Sequence, residues 1–221
     1  MQWDWEFTAE ILPKMLWATV NTLMAAGIGY VIAAVIGLLF ALAQRTPFRS
    51  LTFIVREVVE FIRSTPLILQ IFFVYYVGPE YGLWLSPWVA GMIAIGLHYA
   101  AYLSEVYRGG IESIPKGQWE ACTAINLTMA QSYRRIILPQ AIPPSIAGMG
   151  NYLVSIFKDT PMLSVIGVEE LMQAANAVGG QNYRYLEPYT IVGVIFLIIS
   201  LTAASAIRGF EGWIRRKLGM E

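Results

Sequence analysis

Two short segments place charge beside a helix-breaking proline inside otherwise apolar sequence. One is Arg63-Ser64-Thr65-Pro66-Leu67; the other is Lys158-Asp159-Thr160-Pro161-Met162-Leu163. Each sets a basic residue and one polar residue before Thr-Pro. Proline lacks the N–H of the helical ladder and frees a carbonyl. Paired interruptions of this kind in apolar segments point to a solute path at membrane depth. Ions at such depth are costly and usually serve a purpose. Arg63, Lys158 and Asp159 offer the cationic and anionic contacts a zwitterionic solute needs, and Thr65, Pro66, Thr160 and Pro161 supply the breaks. The echo is short enough to arise by chance, and the outer headgroup layer is the alternative location for Lys158 and Asp159. His98 is the only histidine. It lacks the companion ligands a metal site needs, so it reads as a hydrogen-bonded interior residue beside the path.

Enzymatic chemistry has no support. There is no G-x-x-x-x-G-K-[ST] loop, no H-E-x-x-H, no paired zinc motif and no nucleophile elbow. Cys122 is the single cysteine, so no intrachain disulfide is possible. The formal net charge of zero gives no case for nucleic-acid binding.

The elements that position these residues are apolar helices. Of 221 residues, 57% are hydrophobic and 14% charged. The mean hydropathy is +0.55, which fits an all-α polytopic membrane protein of one integral domain. The opening MQWDWEF carries acid rather than the basic start of a cleavable signal; with Trp3, Trp5 and Phe7 it reads as an interfacial arm. Five spans are expected, at about 15–43, 63–77, 88–107, 142–163 and 188–207, each needing about 20 apolar residues. Gly27, Gly29, Ala33, Ala34 and Gly37 suit close helix contact in the first. In the second, Arg56, Glu60 and Arg63 fall at i, i+4 and i+7 on one face. Arg56 reads as snorkelling to the interface; for Arg63, function and packing both stay open. Residues 164–177 and 179–187 read as outer surface and outer turn.

Basic residues set the orientation. Arg45, Arg49, Arg108, Lys116, Arg134, Arg135, Arg208, Arg215, Arg216 and Lys217 gather on one side, against Lys14 and Arg184 on the other. The N-terminus is therefore expected outside, and the C-terminus with the polar island 108–139 in the cytoplasm. Within that island a short helix over 118–125 carries Ala121, Cys122 and Ala124. Asn126 tolerates a left-handed bend, and a second helix runs toward Ile136. Such a knuckle could plug into a partner protein.

Glu120-Ala121-Cys122-x3-Asn126-x9-Ile136-x-Leu138-Pro139 resembles the EAA-x3-G-x9-I-x-L-P motif of permease subunits in ABC importers. FIRSTPLILQIFFVYY, YLSEVYRGG, SIPKG (with Pro115 and Gly117) and FKDTPML are similar to the polar amino-acid permease group, and the resemblance runs from about 19 to 207. MQWDWEFT, GLHYAAYLSEVYRGGIE, INL and NYRYLEPYT look most like the ectoine/hydroxyectoine permease subunit. The motif glycine is Asn126 here and the second motif alanine is Cys122, so some backbone freedom is lost.

The resemblance implies a type I ABC importer permease fold (MetI-like) in the bacterial inner membrane. It implies an arm at 1–18, a permease domain at 19–207 with its coupling region at 108–139, and a basic tail at 208–221. Partners would be a cytoplasmic ATPase dimer that holds ATP and Mg, a second permease copy or homologue, and a periplasmic solute-binding protein. This chain itself would bind no cofactor. Transport would proceed by alternating access. Two other readings are an ATP-independent carrier or channel subunit, and a membrane scaffold for an ATPase.

Overall fold

The computed structural model describes residues 3–217, and within them every regular element is helical. Helix α1, Trp5–Ala43, is 39 residues long. It starts well before the expected 15 because Asp4 caps it, accepting the Glu6 and Phe7 N–H groups at 3.0 and 3.1 Å. At about 1.5 Å per residue it exceeds the ~30 Å hydrocarbon layer. From residue 5 onward the expected arm is thus the first turns of this helix, and residues 1–2 lie outside the described residues.

The anticipated second span is broken. Helix α2, Arg49–Arg63, is followed across Ser64–Pro66 by helix α3, Leu67–Phe72, and the segment Leu67–Tyr81 that α3 opens is bent 107° from α2. Pro66 cannot continue the ladder and biases Thr65 away from helical backbone. A π-helical turn over Phe73–Val77 and a 3-10 turn over Gly78–Tyr81 finish the segment.

Helix α4, Pro87–Glu112, is the central column, with Ser86 at its N-cap. It buries Ala90, Ala94, Ile95, Ala100, Ala101 and Leu103. Helix α1 lies against it through small residues. A Cβ on Gly37 would sit 2.8 Å from the Ala100 carbonyl oxygen and 3.0 Å from Leu103 Cβ. On the other side, a Cβ on Gly110 would come within 2.6 Å of the Ala141 carbonyl oxygen. Without water to exclude between helices, such close packing is what holds them together.

Helices α5 (Lys116–Ala124) and α6 (Met129–Ser132) and a π-helical turn, Tyr133–Ile137, form the polar island. Helix α7, Leu138–Asp159, continues as a 3-10 turn over Thr160–Ile166 that Gly167 ends with φ 78°. Helix α8, Leu171–Asn182, follows where an irregular surface stretch is expected, and helix α9 spans Leu186–Lys217. The outer turn reduces to Tyr183–Tyr185, with Tyr183 left-handed at φ 53°. Arg184 there bonds Asp4 at 2.9 Å, pairs with Glu187 and lies 4.8 Å over Phe7, joining the starts of α1 and α9. The Phe7 N–H and then the Arg184 guanidinium hold the Asp4 carboxyl below its usual range. The expected tail continues α9; residues 218–221 lie outside the described residues.

Helices α1, α4 and α9 are each long and apolar enough to cross a membrane, and the α2–α3 pair qualifies as a bent span. The expected fourth span falls on α7, which does not qualify by that measure. Pro143, Pro144, Ser145, Asn151, Lys158 and Asp159 dilute its apolar run. The count of five is therefore not reproduced by length and apolarity alone.

Gly37→Val is expected to lower stability by about 1–3 kcal/mol through overpacking, read as thermal unfolding in detergent. Gly27→Ala, with open space around its Cβ position, is expected to leave that midpoint unlowered, or to raise it slightly because alanine favours the helix over glycine.

Candidate translocation wall and coupling surface

The break between α2 and α3 is stabilised by Gln70, a side chain that the sequence pattern does not single out. Gln70 Nε2 donates to the Ile62 carbonyl at 2.8 Å, to Thr65 Oγ1 at 2.7 Å and to the Thr65 carbonyl at 3.3 Å. Ile62 is the residue whose helical donor Pro66 removes. Thr65 Oγ1 also reaches the Phe61 and Ile62 carbonyls, at 3.1 and 3.2 Å. Because the Gln70 amide nitrogen is committed as a donor, its oxygen accepts from His98 Nδ1 at 3.2 Å. That network assigns the ring proton to Nδ1. His98, buried on α4, is a hydrogen-bonded interior residue as expected, and its partner belongs to the break.

From this corner a tyrosine ladder crosses to the second break. The Arg63 guanidinium lies 5.6 Å from the Tyr102 ring centroid, and the Tyr102 hydroxyl donates to the Arg63 carbonyl at 3.3 Å. Tyr152 on α7 lies 5.6 Å from Tyr102 and 6.1 Å from Tyr99. The Tyr99 hydroxyl donates to Asp159 Oδ2 at 2.6 Å. Thr160 is fully buried, its hydroxyl on the Phe157 carbonyl at 2.8 Å, and Pro161 opens the 3-10 turn. Arg63, His98 and Asp159 are thus joined by the tyrosines in one wall, with a cation at one end and an anion at the other. Thr65 and Pro66 follow Arg63 at the first break, and Thr160, fully buried, and Pro161 follow Asp159 at the second.

Lys158 does not join the wall. Successive helical residues point about 100° apart. Lys158 is exposed on a groove between α7 and α9, with Asn151, Ser155 and Arg208. Arg63 also pairs with Glu60 at 3.5 Å. Gln70, Tyr99, Tyr102 and Tyr152 escape a reading of the sequence because single polar or aromatic residues in apolar runs look like packing. The usable signal is the spacing of Tyr99 and Tyr102 at i, i+3 beside His98.

The polar island folds as the knuckle its sequence suggests. Asn126 is left-handed at φ 53°. The Leu127 N–H bonds the Cys122 carbonyl at 3.0 Å, and the Asn126 N–H bonds the Thr123 carbonyl at 3.0 Å. This pair closes α5 as a Schellman motif, with asparagine where glycine is commonest. Thr128 and Gln131 form a capping box that starts α6. Cys122 is buried beneath α5, while Pro115, Gly117, Glu120, Ala121 and Asn126 are exposed. Among the described residues the Glu120 side chain has no hydrogen bond or ion pair, and Ile125 and Met129 in the same polar island stand 67% and 62% exposed. Leu138 is half-buried and Pro139 exposed at the start of α7.

Residues 33–216 match the family described as binding-protein-dependent transport system inner membrane component. The chain belongs to that family. A probable amino-acid ABC transporter permease protein of Sinorhizobium fredii is 45% identical over 91% of this chain and 87% of the relative. The nopaline transport system permease protein of Agrobacterium fabrum is 34% identical, covering 96% and 92%. The glutamine transport system permease protein of Escherichia coli is 32% identical, covering 96% and 97%. The crystal structure of an amino acid ABC transporter with histidines superposes with TM-score 0.87 at 29% identity, covering 96% of this chain and 99% of that one. A methionine ABC transporter structure, at 20% identity and TM-score 0.71, shares the fold. The chain therefore has the MetI-like importer permease fold. It is a transport subunit rather than an enzyme, and ATP hydrolysis falls to a separate subunit.

Gln70→Leu removes a donor from the Ile62 carbonyl, which keeps the Thr65 hydroxyl, and removes the acceptor of His98 Nδ1. It is expected to cost about 1–3 kcal/mol. Thermal unfolding in detergent should register that loss, and proteolysis should begin at the α2–α3 break.

Proposed function

We propose that this chain imports a polar, zwitterionic amino-acid-like solute, ectoine-type compatible solutes included, by ATP-driven alternating access. The observation that carries the reading is the single wall holding the Arg63 guanidinium, three tyrosines and the Asp159 carboxylate. A solute carboxylate would face Arg63 and its ammonium would face Asp159, with tyrosine rings against the carbon skeleton and the cation. The relatives named for amino acids and nopaline support the solute class. The ectoine assignment rests on the sequence resemblance over MQWDWEFT, INL and NYRYLEPYT.

The exposed face of α5 would dock on a cytoplasmic ATPase that carries ATP and Mg. Glu120 would orient that contact, Ala121 and Gly117 would permit close approach, and Ile125 would add apolar area. A second permease subunit would complete the pathway, and a periplasmic binding protein would deliver solute. In this arrangement α7 is the fifth crossing, its polar positions turned to the pathway and the pairing surface. The distribution of Lys and Arg supports an N-terminus in the periplasm and a C-terminus and α5 in the cytoplasm. A carrier working without an ATPase would have no use for an unpaired carboxylate and exposed Ile125 and Met129 in one polar island.

The test is reconstitution with the cognate ATPase and solute-binding protein, with uptake and ATP hydrolysis followed for L-glutamine, L-arginine and ectoine. Glu120→Lys is expected to abolish uptake while the protein still inserts; normal uptake would refute the docking assignment. Asp159→Asn removes a charge-assisted hydrogen bond of about 1.5–3 kcal/mol, so uptake should fall about tenfold or more. Co-purification with the ATPase should be unchanged in that variant. Unaltered uptake would remove Asp159 from the path.

A further inference from the structure

We infer that Arg45 is a positioning residue that ties the α5 knuckle to the α1–α2 turn, so that movement of α5 is carried to the broken helix bearing Arg63. This rests on the importer reading above and adds a route for the force. Arg45 sits in the short connection between α1 and α2. Its Nε donates to the Tyr133 hydroxyl at 3.2 Å. Its guanidinium lies 5.7 Å from the Trp119 ring centroid, and Nη1 lies 3.6 Å from Glu112 Oε1. One side chain therefore touches α5, the π-helical turn before α7 and the end of α4.

Each of those contacts is itself braced. Trp119 and Tyr133 meet edge to face at 5.4 Å. Both pack on the buried cluster of Ile111, Ile114, Ile137 and Ala141. Glu112 is held by Arg108, whose Nη1 donates to its two oxygens at 2.8 and 2.9 Å, while Arg108 Nη2 donates to Glu105 at 2.7 Å. A planar guanidinium stacks on an indole and hydrogen-bonds in its plane at once, which an ammonium does not.

The chain leaving Arg45 is short and anchored. The Thr52 hydroxyl on α2 donates to the Thr46 carbonyl at 3.3 Å. Helix α2 then runs without interruption to Arg63 and the break that Gln70 holds. A shift of Trp119 thus reaches the start of α2 through Arg45, and the lever of α2 carries it to the solute wall. Without Arg45, α5 would still be anchored to α4 and α7 through its apolar underside, but its link to the α1–α2 turn would be cut.

The experiment uses the whole reconstituted importer and whichever of L-glutamine, L-arginine and ectoine the wild type transports. The readout is solute imported per ATP hydrolysed. For Arg45→Ala the ratio is expected to fall about tenfold, the size of an ordinary coupling free energy between sites. Co-purification with the ATPase should persist, and Arg45→Lys should recover only part of the ratio. An Arg45→Ala complex that co-purifies with an unchanged ratio would overturn the proposal. If Arg45→Ala fails to reach the membrane, Tyr133→Phe decides: it removes only the hydroxyl, a drop in the ratio supports the link, and an unchanged ratio overturns it. A wild-type complex showing no solute-stimulated ATP hydrolysis would instead defeat the importer reading, and the link with it.

Discussion

A hydrocarbon layer offers no water to an unpaired carbonyl, and each such group costs several kcal/mol there. That constraint governs this molecule. At the helix break of Thr65-Pro66, Gln70 and Thr65 donate to the carbonyls that the break releases. His98 holds Gln70 in place from α4. The sharp bend, the exposure of Arg63 to the wall and the placement of Tyr102 beneath it all follow from that repair. The second break solves the same problem differently, with Thr160 folded back on the Phe157 carbonyl and a 3-10 turn tightened to Gly167.

The bundle around the wall is assembled by backbone proximity rather than by bulky interlocking. Gly37 lets α1 lie on α4, and Gly110 lets α4 lie on α7. Close contact of this kind makes α4 a rigid post. The elements that depart from simple rods are α2–α3, the two 3-10 turns and the two π-helical turns. The π turn over Tyr133–Ile137 joins the polar island to α7, and π turns recur where helices serve function.

Much of this is readable in the residues. Thr-Pro marks both breaks, and Asn126 marks the bend because few other residues accept a positive φ. The alternation of greasy runs with basic turns marks the helices. Other features are not readable. Apolarity alone starts α1 at residue 15, yet Asp4 and the Arg184–Glu187 pair far along the chain fix it at Trp5. Helix α8 occupies a half-polar stretch whose partners, on α1 and α9, are distant in sequence. Gln70 and the tyrosines need three dimensions, since a side chain that repairs a break looks like any polar residue in an apolar run. Adjacency groups Lys158 with Asp159, and adjacency on a helix separates directions.

That last point reaches further. The chain carries equal numbers of acidic and basic residues, so its total is uninformative about what a passenger meets. What a passenger meets depends on rotation about the α7 axis. Asp159 and Lys158 are consecutive, yet one bonds Tyr99 and the other lies exposed on the groove between α7 and α9. Each face of α7 can therefore carry its own sign of charge while the protein stays neutral. A one-residue slip of α7 would exchange an acid for a base at the same spot and invert the local field.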